Sequence, residues 1–472
     1  LSFLSLSFLI FFGIVFYIYW NLPEKPIFRR LFLILASCVF YSYFSSFFLI
    51  HLLIVISINY LIYKFFLDKN LYIKLAVIFN LLNLFFFKYF YFFLATLGGI
   101  LGLTQLEQKS NIDTFIARTF GLSSFEIVLP MTISYYTFQF ISLAVDVKQK
   151  KYPHSLQLLD FFSYCLFFPV MIAGPILRVD QILNQFDKVN ISFDSMLDGL
   201  WLIIRGIIKK AILADSLLVL VVPIFNSPSQ YSGLALLVTT YFFGAMLYLD
   251  FSGLTDLARG LGLLLGFELP ENFKAPFFMQ SFGDFWRRWH LTFSYWIRDY
   301  IYIPLGGSRV NEGRIYFNLI VTFALGGLWH GANMNYILWG AINGLYIAIE
   351  RSLEQRNIKF PQFFGSSLVH YIIVLHLSMI TWVLFFTPNF STAFSIVKKI
   401  LTNSIGLFPT GFESGIYAII FTFIFHLGEE FPEKFKKIKY LQKYLIPIFS
   451  IILFIVLVQK SGSNIDFFYE KF

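Results

Sequence analysis

The sequence predicts an all-α, polytopic integral membrane protein, with about a dozen transmembrane or re-entrant helices around a central tunnel. Three observations carry that reading. Hydrophobic residues make up 58% of the 472-residue chain and charged residues only 13%, a balance that suits a lipid-facing surface. The apolar residues form long runs rather than a two-residue alternation, which selects helices over a β-barrel. Glycine, proline and one histidine, His330, interrupt those runs, as expected where helices break around a protein-lined cavity.

Taken in order, residues 3–20 read as a first span, retained because no basic stretch or small-residue cleavage site marks a signal peptide. Arg29 and Arg30 follow, which places the N-terminus outside, since Lys and Arg favour the cytoplasmic side. Residues 31–66 exceed the ~20 needed for one crossing, so Ser45-Ser46 is expected to turn the chain between two. Lys64, Lys69 and Lys74 return it to the cytoplasm. A span at 75–97 then leads to a polar loop at 104–124, and the run 127–145 comes back to Lys148, Lys150 and Lys151. Beyond it, Pro169, Gly174-Pro175, Arg205 and Lys209-Lys210 interrupt the hydropathy, as re-entrant or interfacial helices do. Further runs at 231–249, 316–328, 336–349, 369–386, 415–427 and 444–458 complete the set. The whole reads as one membrane domain over 1–472, with N-terminal helices at 1–124, a core at 125–350 and C-terminal helices at 351–472. No internal repeat is visible, which argues against a repeat-built transporter, and no soluble domain interrupts the runs.

The net charge of +9 owes much to Lys434, Lys436, Lys437, Lys439 and Lys443, which lie between the last two runs and read as a cytoplasmic loop. Nucleic acid is not an expected partner; membrane lipid is. Cys38 and Cys165 stand far apart in apolar runs and read as packing residues, neither a disulfide framework nor a metal site. Lys88, Asp146, Asp160, Arg178 and Glu350 read as snorkelling or paired residues.

Two segments carry chemistry. In residues 284–299, Trp286, Trp289, His290, Phe293, Trp296 and Ile297 fall on one stripe of a helical wheel, opposite Asp284, Arg287, Arg288, Ser294, Arg298 and Asp299. Such a helix lies at a membrane interface or lines a vestibule. His290 is then either a satisfied core histidine or a functional one, and the arginines are either interfacial anchors or contacts to an anionic donor. Around His330, Gly326-Gly327 and Gly331 weaken helix continuity, whereas the pairs Gly327/Gly331 and Gly340/Gly344 permit close helix approach. A helix broken at mid-depth favours a cavity; a tight crossing in which His330 bonds a carbonyl is the other reading. Asp250 and Asp256 flank Ser252-Gly253, where a helix break beside the tunnel is expected.

These residues carry a resemblance. Asp250-Phe251-Ser252-Gly253-Leu254-Thr255-Asp256, Leu269-Pro270-Glu271-Asn272-Phe273, the block FWRRWHLTFSYWIRDYIYIPLGGSR at 285–309 and LGGLWHGANMNYILWG at 325–340 resemble the membrane-bound O-acyltransferase family. The alginate O-acetyltransferase branch is the nearest in pattern. Weaker similarity runs through 129–139, Gly174-Pro175 and 467–472, so the resemblance covers nearly the whole chain.

The resemblance implies acyl transfer inside a membrane tunnel, with His330 matching the histidine treated as catalytic and His290 the second histidine or polar position. Physical chemistry agrees: a thioester donor needs a base for the acceptor hydroxyl's proton, and an imidazole that burial keeps neutral can serve. His290, Trp329 or Asn333 would supply oxyanion donors. Trp286, Arg287, Arg288, Arg298, Asp299, Asp250 and Asn272 complete the expected tunnel set. No Ser or Cys occupies a nucleophile elbow, so a covalent acyl-enzyme on either is not indicated. No bound cofactor and no metal are expected. Similar bacterial proteins imply acetyl-CoA, or another acyl thioester, as the cytoplasmic donor. They also imply a bacterial cytoplasmic (inner) membrane location, and an extracytoplasmic acyltransferase partner that modifies a polysaccharide.

Two departures stand out. Met334 occupies a position where this branch often has Trp, and Thr387 one where Arg is common, so tunnel shape or partner surface differs and the acceptor polymer stays open. The rival enzyme reading is D-alanyl transfer to teichoic acids from a carrier protein; a non-enzymatic acyl or lipid transporter, or a scaffold for an envelope-polymer synthase, lies outside that class.

Overall fold

The computed structural model describes residues 3–152, 155–188, 190–357, 366–435 and 445–449. Among them every regular element is helical, apart from one isolated bridge between Tyr231 and Leu407, so the chain is all-α as expected. Among the described residues four helices are long and apolar enough to cross a membrane: Ser46–Phe66, Tyr72–Leu101, Gly233–Leu264 and Leu368–Phe386. Of the basic run near the end, only Lys434 falls among the described residues. Lys436, Lys437, Lys439 and Lys443, most of the run at 444–458 and the segment 467–472 lie outside them.

The described residues form two compact units. One comprises residues 22–172 with 176–188. Its helices Pro26–Ser42 and Ser46–Phe66 are separated at Ser45, whose hydroxyl accepts from the Phe48 amide at 3.2 Å and caps the second helix, as the expected turn requires. The loop at 104–124 is not irregular throughout: it contains the helix Lys109–Phe120, which buries Ile112 and stops at Gly121 in the left-handed conformation. The next helix, Ile133–Lys148, starts six residues later than the apolar run, because Pro130 disfavours a helical residue before it and Thr132 takes φ 62°. Polar residues here are paired: Asn59 with Asn80, Arg30 with Asp160 at 2.5 Å, Lys151 with Asp146 at 2.8 Å, and Lys88 with Ser134 at 3.1 Å. Both cysteines are free thiols.

The other unit comprises residues 1–21, 173–175 and 189–472, and its axis is the 32-residue helix Gly233–Leu264. Asp250, Ser252 and Asp256 are all buried on it, and the helix passes unbroken through Gly253, contrary to the expected break. The glycines serve contact instead. A Cβ on Gly253 would lie 2.9 Å from the Gly206 carbonyl oxygen, and one on Gly260 would lie 2.6 Å from that of Gly199. The two pairs share a seven-residue spacing, so Phe193–Ile207 packs along Gly233–Leu264 at backbone contact over two turns. That helix runs on through a π-helical stretch, Ile208–Ala214, into Asp215–Asn226. The wider turn carries the buried Lys209 and Lys210 toward the central helix.

A second close pair forms the hairpin Glu312–His330 and Met334–Gln355. A Cβ on Gly327 would stand 2.0 Å from the Tyr336 carbonyl oxygen, and one on Gly340 2.0 Å from that of Phe323. The first helix passes through Gly326-Gly327 without interruption and ends at His330; the break falls at Gly331, where the Tyr336 ring occupies the space a Cβ would need. The glycines therefore set how close the two helices lie, and the hairpin turn sets where His330 sits.

Candidate active site

Residues 284–299 are not one helix. Phe282–Trp286 ends, the chain turns, and Leu291–Ile297 begins after His290, which takes the left-handed conformation at φ 43°. A non-glycine residue pays for that conformation, and it persists only where its surroundings impose it. Asn272 imposes it: its carbonyl accepts from the Leu291 amide at 2.9 Å, and its side-chain oxygen accepts from the Thr292 amide at 3.2 Å and the Thr292 hydroxyl at 2.9 Å. The preceding helix is anchored by Glu350, whose carboxylate accepts from the Phe282 and Gly283 amides at 3.1 and 2.9 Å, a favourable place for an anion. Despite the break, Trp286, Trp289, His290, Phe293, Trp296 and Ile297 are all buried, so the predicted apolar face survives as two short helices.

The break delivers His290 to His330. Their ring centroids lie 6.5 Å apart, and Phe293 packs on both, 5.0 Å from His290 and 5.2 Å from His330. The enclosure is aromatic. Phe251 meets His290 edge-on at 4.6 Å, Trp329 lies 6.2 Å from His290 and 4.9 Å from His330, and Trp339 and Phe385 complete the wall of His330 at 5.5 and 5.4 Å. Both histidines are buried, His290 at 1% exposure and His330 at 4%. Neither ring nitrogen of His290 has a hydrogen-bond partner among the described residues. The satisfied core histidine weighed from sequence is thus not what the fold builds. Desolvation alone pushes the His290 imidazole down to about 3.

The other expected residues are distributed as follows. Trp329 belongs to the enclosure, and Trp286 stands behind it, 5.7 Å from Trp339. The Asn333 side chain is engaged away from the two rings: its oxygen caps the Met334–Gln355 helix through the Asn335 amide at 2.9 Å, and its amide donates to the Pro388 carbonyl at 2.9 Å. Arg288 is bound to Asp284 at 2.9 Å and Glu430 at 2.7 Å, and the Glu430 hydrogen bond raises its pKa. Arg287 is exposed near Asp284, and Arg298 is exposed over the Tyr295 ring while bonding Asp299 at 2.6 Å. Arg287 and Arg288 thus share Asp284, whereas Arg298 pairs with Asp299.

Asp250 forms part of a buried charge network. Lys210 bridges it at 2.7 Å to Asp215 at 2.8 Å. Beside it Arg205 grips Asp256 through two nitrogens at 2.7 and 2.5 Å, and the wholly buried Lys209 lies 3.1 Å from Asp256 and 3.0 Å from Glu429. Glu429 also accepts from the Tyr248 hydroxyl at 2.7 Å and the Ala275 amide at 2.8 Å. Burial of so many charges is tolerable only because each meets an opposite one. A cavity of about 300 Å³ opens beside this network, lined by Arg205, Asp256, Arg259, Lys274 and Glu429, with the buried Ser252 and Asn272 in its wall. The Ser252 hydroxyl and the Asn272 side-chain nitrogen have no partner among the described residues. One aromatic layer separates it from His290: Phe273 follows Asn272, meets Phe251 at 5.2 Å, and Phe251 meets His290.

Sequence reading passed over His426, although an ionisable residue in the apolar run 415–427 is the same signal that singled out His330. It is wholly buried, its ring nitrogen accepts from the Phe277 amide at 3.1 Å, and it stacks on the Phe277 ring at 5.3 Å. Trp339, Trp382 and Phe385 were also missed as wall residues, because their contacts come from helices distant in sequence. Among the described residues no group of three His, Cys, Asp or Glu is arranged to hold a metal ion.

The model of the membrane-bound O-acyltransferase family matches residues 147–388, a stretch that contains both histidines and the central helix. The chain is 41% identical over 281 residues to a probable alginate O-acetylase of Pseudomonas putida, covering 59% of this chain and 57% of that protein. It is 30% identical over 410 residues to the peptidoglycan O-acetyltransferase of Helicobacter pylori, covering 79% of this chain and 74% of that protein. With the teichoic acid D-alanyltransferase of Bacillus subtilis it shares 27% identity over 238 residues, 48% of this chain and 60% of that protein. The match thus spans a little over half the length of the alginate O-acetylases.

Proposed function

The chain belongs to the membrane-bound O-acyltransferase family, and on that premise we propose that it is an O-acetyltransferase serving the O-acetylation of an extracytoplasmic, alginate-like polysaccharide. The observation that carries the reading is the enclosed pair of buried imidazoles, one of them with both ring nitrogens unpartnered, on the two segments that hold the family's motifs. His330 is the base in this reading. A neutral imidazole accepts the acceptor hydroxyl's proton as the oxygen attacks the thioester carbonyl, and returns it to the leaving thiolate. His290, neutral and unpaired, holds the reacting groups from the opposite wall. The aromatic enclosure excludes water, which favours transfer over thioester hydrolysis.

Acetyl-CoA on the cytoplasmic side is the proposed donor. The mixed-charge cavity beside Arg205, Arg259 and Lys274 suits its polar portion, and the exposed Arg287 and Arg298 are left as outer contacts for its phosphates, Arg288 being held by Asp284 and Glu430. The acetyl group then passes across the bacterial inner membrane to a partner acyltransferase that completes modification of the polymer. Four helices able to cross a membrane support the location. Acetyl transfer is preferred to D-alanyl transfer because the alginate and peptidoglycan O-acetylating relatives match more closely than the D-alanyl one.

The test uses inverted membrane vesicles from cells carrying the chain, supplied with labelled acetyl-CoA or with a D-alanyl carrier protein. Label released from acetyl-CoA and recovered on polysaccharide supports the reading. Consumption of the carrier-protein thioester alone transfers the chain to the D-alanyl class, and consumption of neither removes the enzyme reading.

A further inference from the structure

Two buried indole N–H groups, one on the ring that packs against His330 and one on the ring behind it, are left without an acceptor among the described residues. Trp339, 2% exposed, packs 5.5 Å from the His330 ring, and Trp382, 1% exposed, packs 5.3 Å from Trp339; the side-chain nitrogen of each is buried and has no hydrogen-bond partner among the described residues. Leaving one buried N–H unpaired costs about 1–3 kcal/mol, and a Phe at either position would avoid that cost while keeping an aromatic wall. Two such groups, Trp339 on the proposed base and Trp382 packed on Trp339 and Phe385 behind it, point to a ligand atom as the missing acceptor.

Indole chemistry narrows what that atom is. The indole N–H only donates and does not ionise near neutral pH, so neither Trp serves as an acid or base beside His330. Both suit an oxygen that gains negative charge during reaction. Thr387 adds a second, independent constraint at the end of the helix carrying Trp382, since its carbonyl accepts from the buried Asn335 side chain at 2.9 Å and ties that helix to the one carrying Trp339. The two indoles are thus on helices fixed to one another, as preorganised donors must be.

We infer that the indole N–H groups of Trp339 and Trp382 donate to the oxyanion of the tetrahedral intermediate, the role for which the sequence offers His290, Trp329 or Asn333. The inference rests on the acyltransferase reading of the His330 site. As the acceptor oxygen bonds to the thioester carbonyl carbon, its proton passes to His330 and the carbonyl π electrons move onto oxygen, where the two indoles meet the charge. Collapse re-forms the carbonyl and breaks the carbon–sulfur bond, and the thiolate takes the proton from His330.

The experiment follows label transfer from acetyl-CoA in inverted vesicles for the unmodified chain, W339F, W382F and His330→Ala, with protein level and detergent elution profile measured for each. Benzothienylalanine, which replaces the indole N–H by sulfur at nearly constant shape, is introduced at each position as the second variant. The expected result is a fall in kcat of about 100-fold for loss of one donor, with KM within about twofold. Either isostere retaining at least half the kcat, or a change confined to KM, overturns the assignment while leaving the enzyme reading intact if His330→Ala is inactive. Absence of turnover in the unmodified chain overturns both.

Discussion

His290 and His330 stand 6.5 Å apart, ring centre to ring centre, with Phe293 packed against both. They are 40 residues apart in sequence and meet because two interruptions coincide: the left-handed residue at His290 and the hairpin turn after His330. Helices without those interruptions would carry the two side chains past one another.

The pH profile separates the roles of the two imidazoles. His290 has its pKa lowered from the ordinary histidine value to about 3, so it is already neutral throughout the range above about pH 5 and stays so as pH rises. An acidic limb in kcat/KM between pH 5 and 8 therefore belongs to another group. The prediction is that His290→Asn lowers the rate but leaves the midpoint of that limb within about 0.3 pH units; a larger displacement would show that His290 titrates there.

Backbone contact in the hairpin predicts a sharp asymmetry among glycines. Gly327→Ala places a Cβ 2.0 Å from a carbonyl oxygen, whereas Gly99→Ala meets nothing within 4 Å. Overpacking of this kind costs about 1–3 kcal/mol. In a thermal-shift measurement in detergent, the first variant should melt several degrees lower and the second should not; equal midpoints would mean that the hairpin relaxes freely.

Lys209 neutralises two carboxylates at once, Asp256 and Glu429, with no exposure to solvent. Removing one partner from a buried pair costs about 3–5 kcal/mol because the other charge is left stranded. Lys209→Met should accordingly depress the melting midpoint strongly, and Lys209→Met with Glu429→Gln should recover part of the loss. Additive losses in the double variant would contradict the coupling.

The arginines divide by exposure. Arg288 is held by two carboxylates, so Arg288→Ala should lower stability, whereas Arg287→Ala and Arg298→Ala should spare it and raise KM for acetyl-CoA by severalfold. An unchanged KM in both exposed variants would reduce them to interfacial anchors.

How much of this was legible in the sequence differs from residue to residue. The helical class followed from hydropathy, and an ionisable group in an apolar run singled out His330, which the fold buries in an aromatic enclosure. The buried stripe at 286–297 was legible because burial follows side-chain period, but its continuity was not, since the break depends on Asn272, whose capping bonds arrive from outside the segment. For Gly253 and Gly327 the same residue type permits a break or a close crossing, and only the partner helix decides. Asn333 reads from its place beside His330 as one of three oxyanion-donor candidates, yet a residue a few positions past a helix end is well placed to cap the next helix, and its side-chain oxygen does so. Trp339 and Trp382 carried no signal beyond hydrophobicity, because an unpaired N–H is visible only once its surroundings are.

The most direct test of the central claim is label transfer from acetyl-CoA to polysaccharide in inverted vesicles, comparing the unmodified chain with His330→Ala at matched protein level. The account predicts that transfer by the unmodified chain falls by at least about 100-fold in the variant, as expected when the base is lost. Transfer that survives in His330→Ala would contradict it.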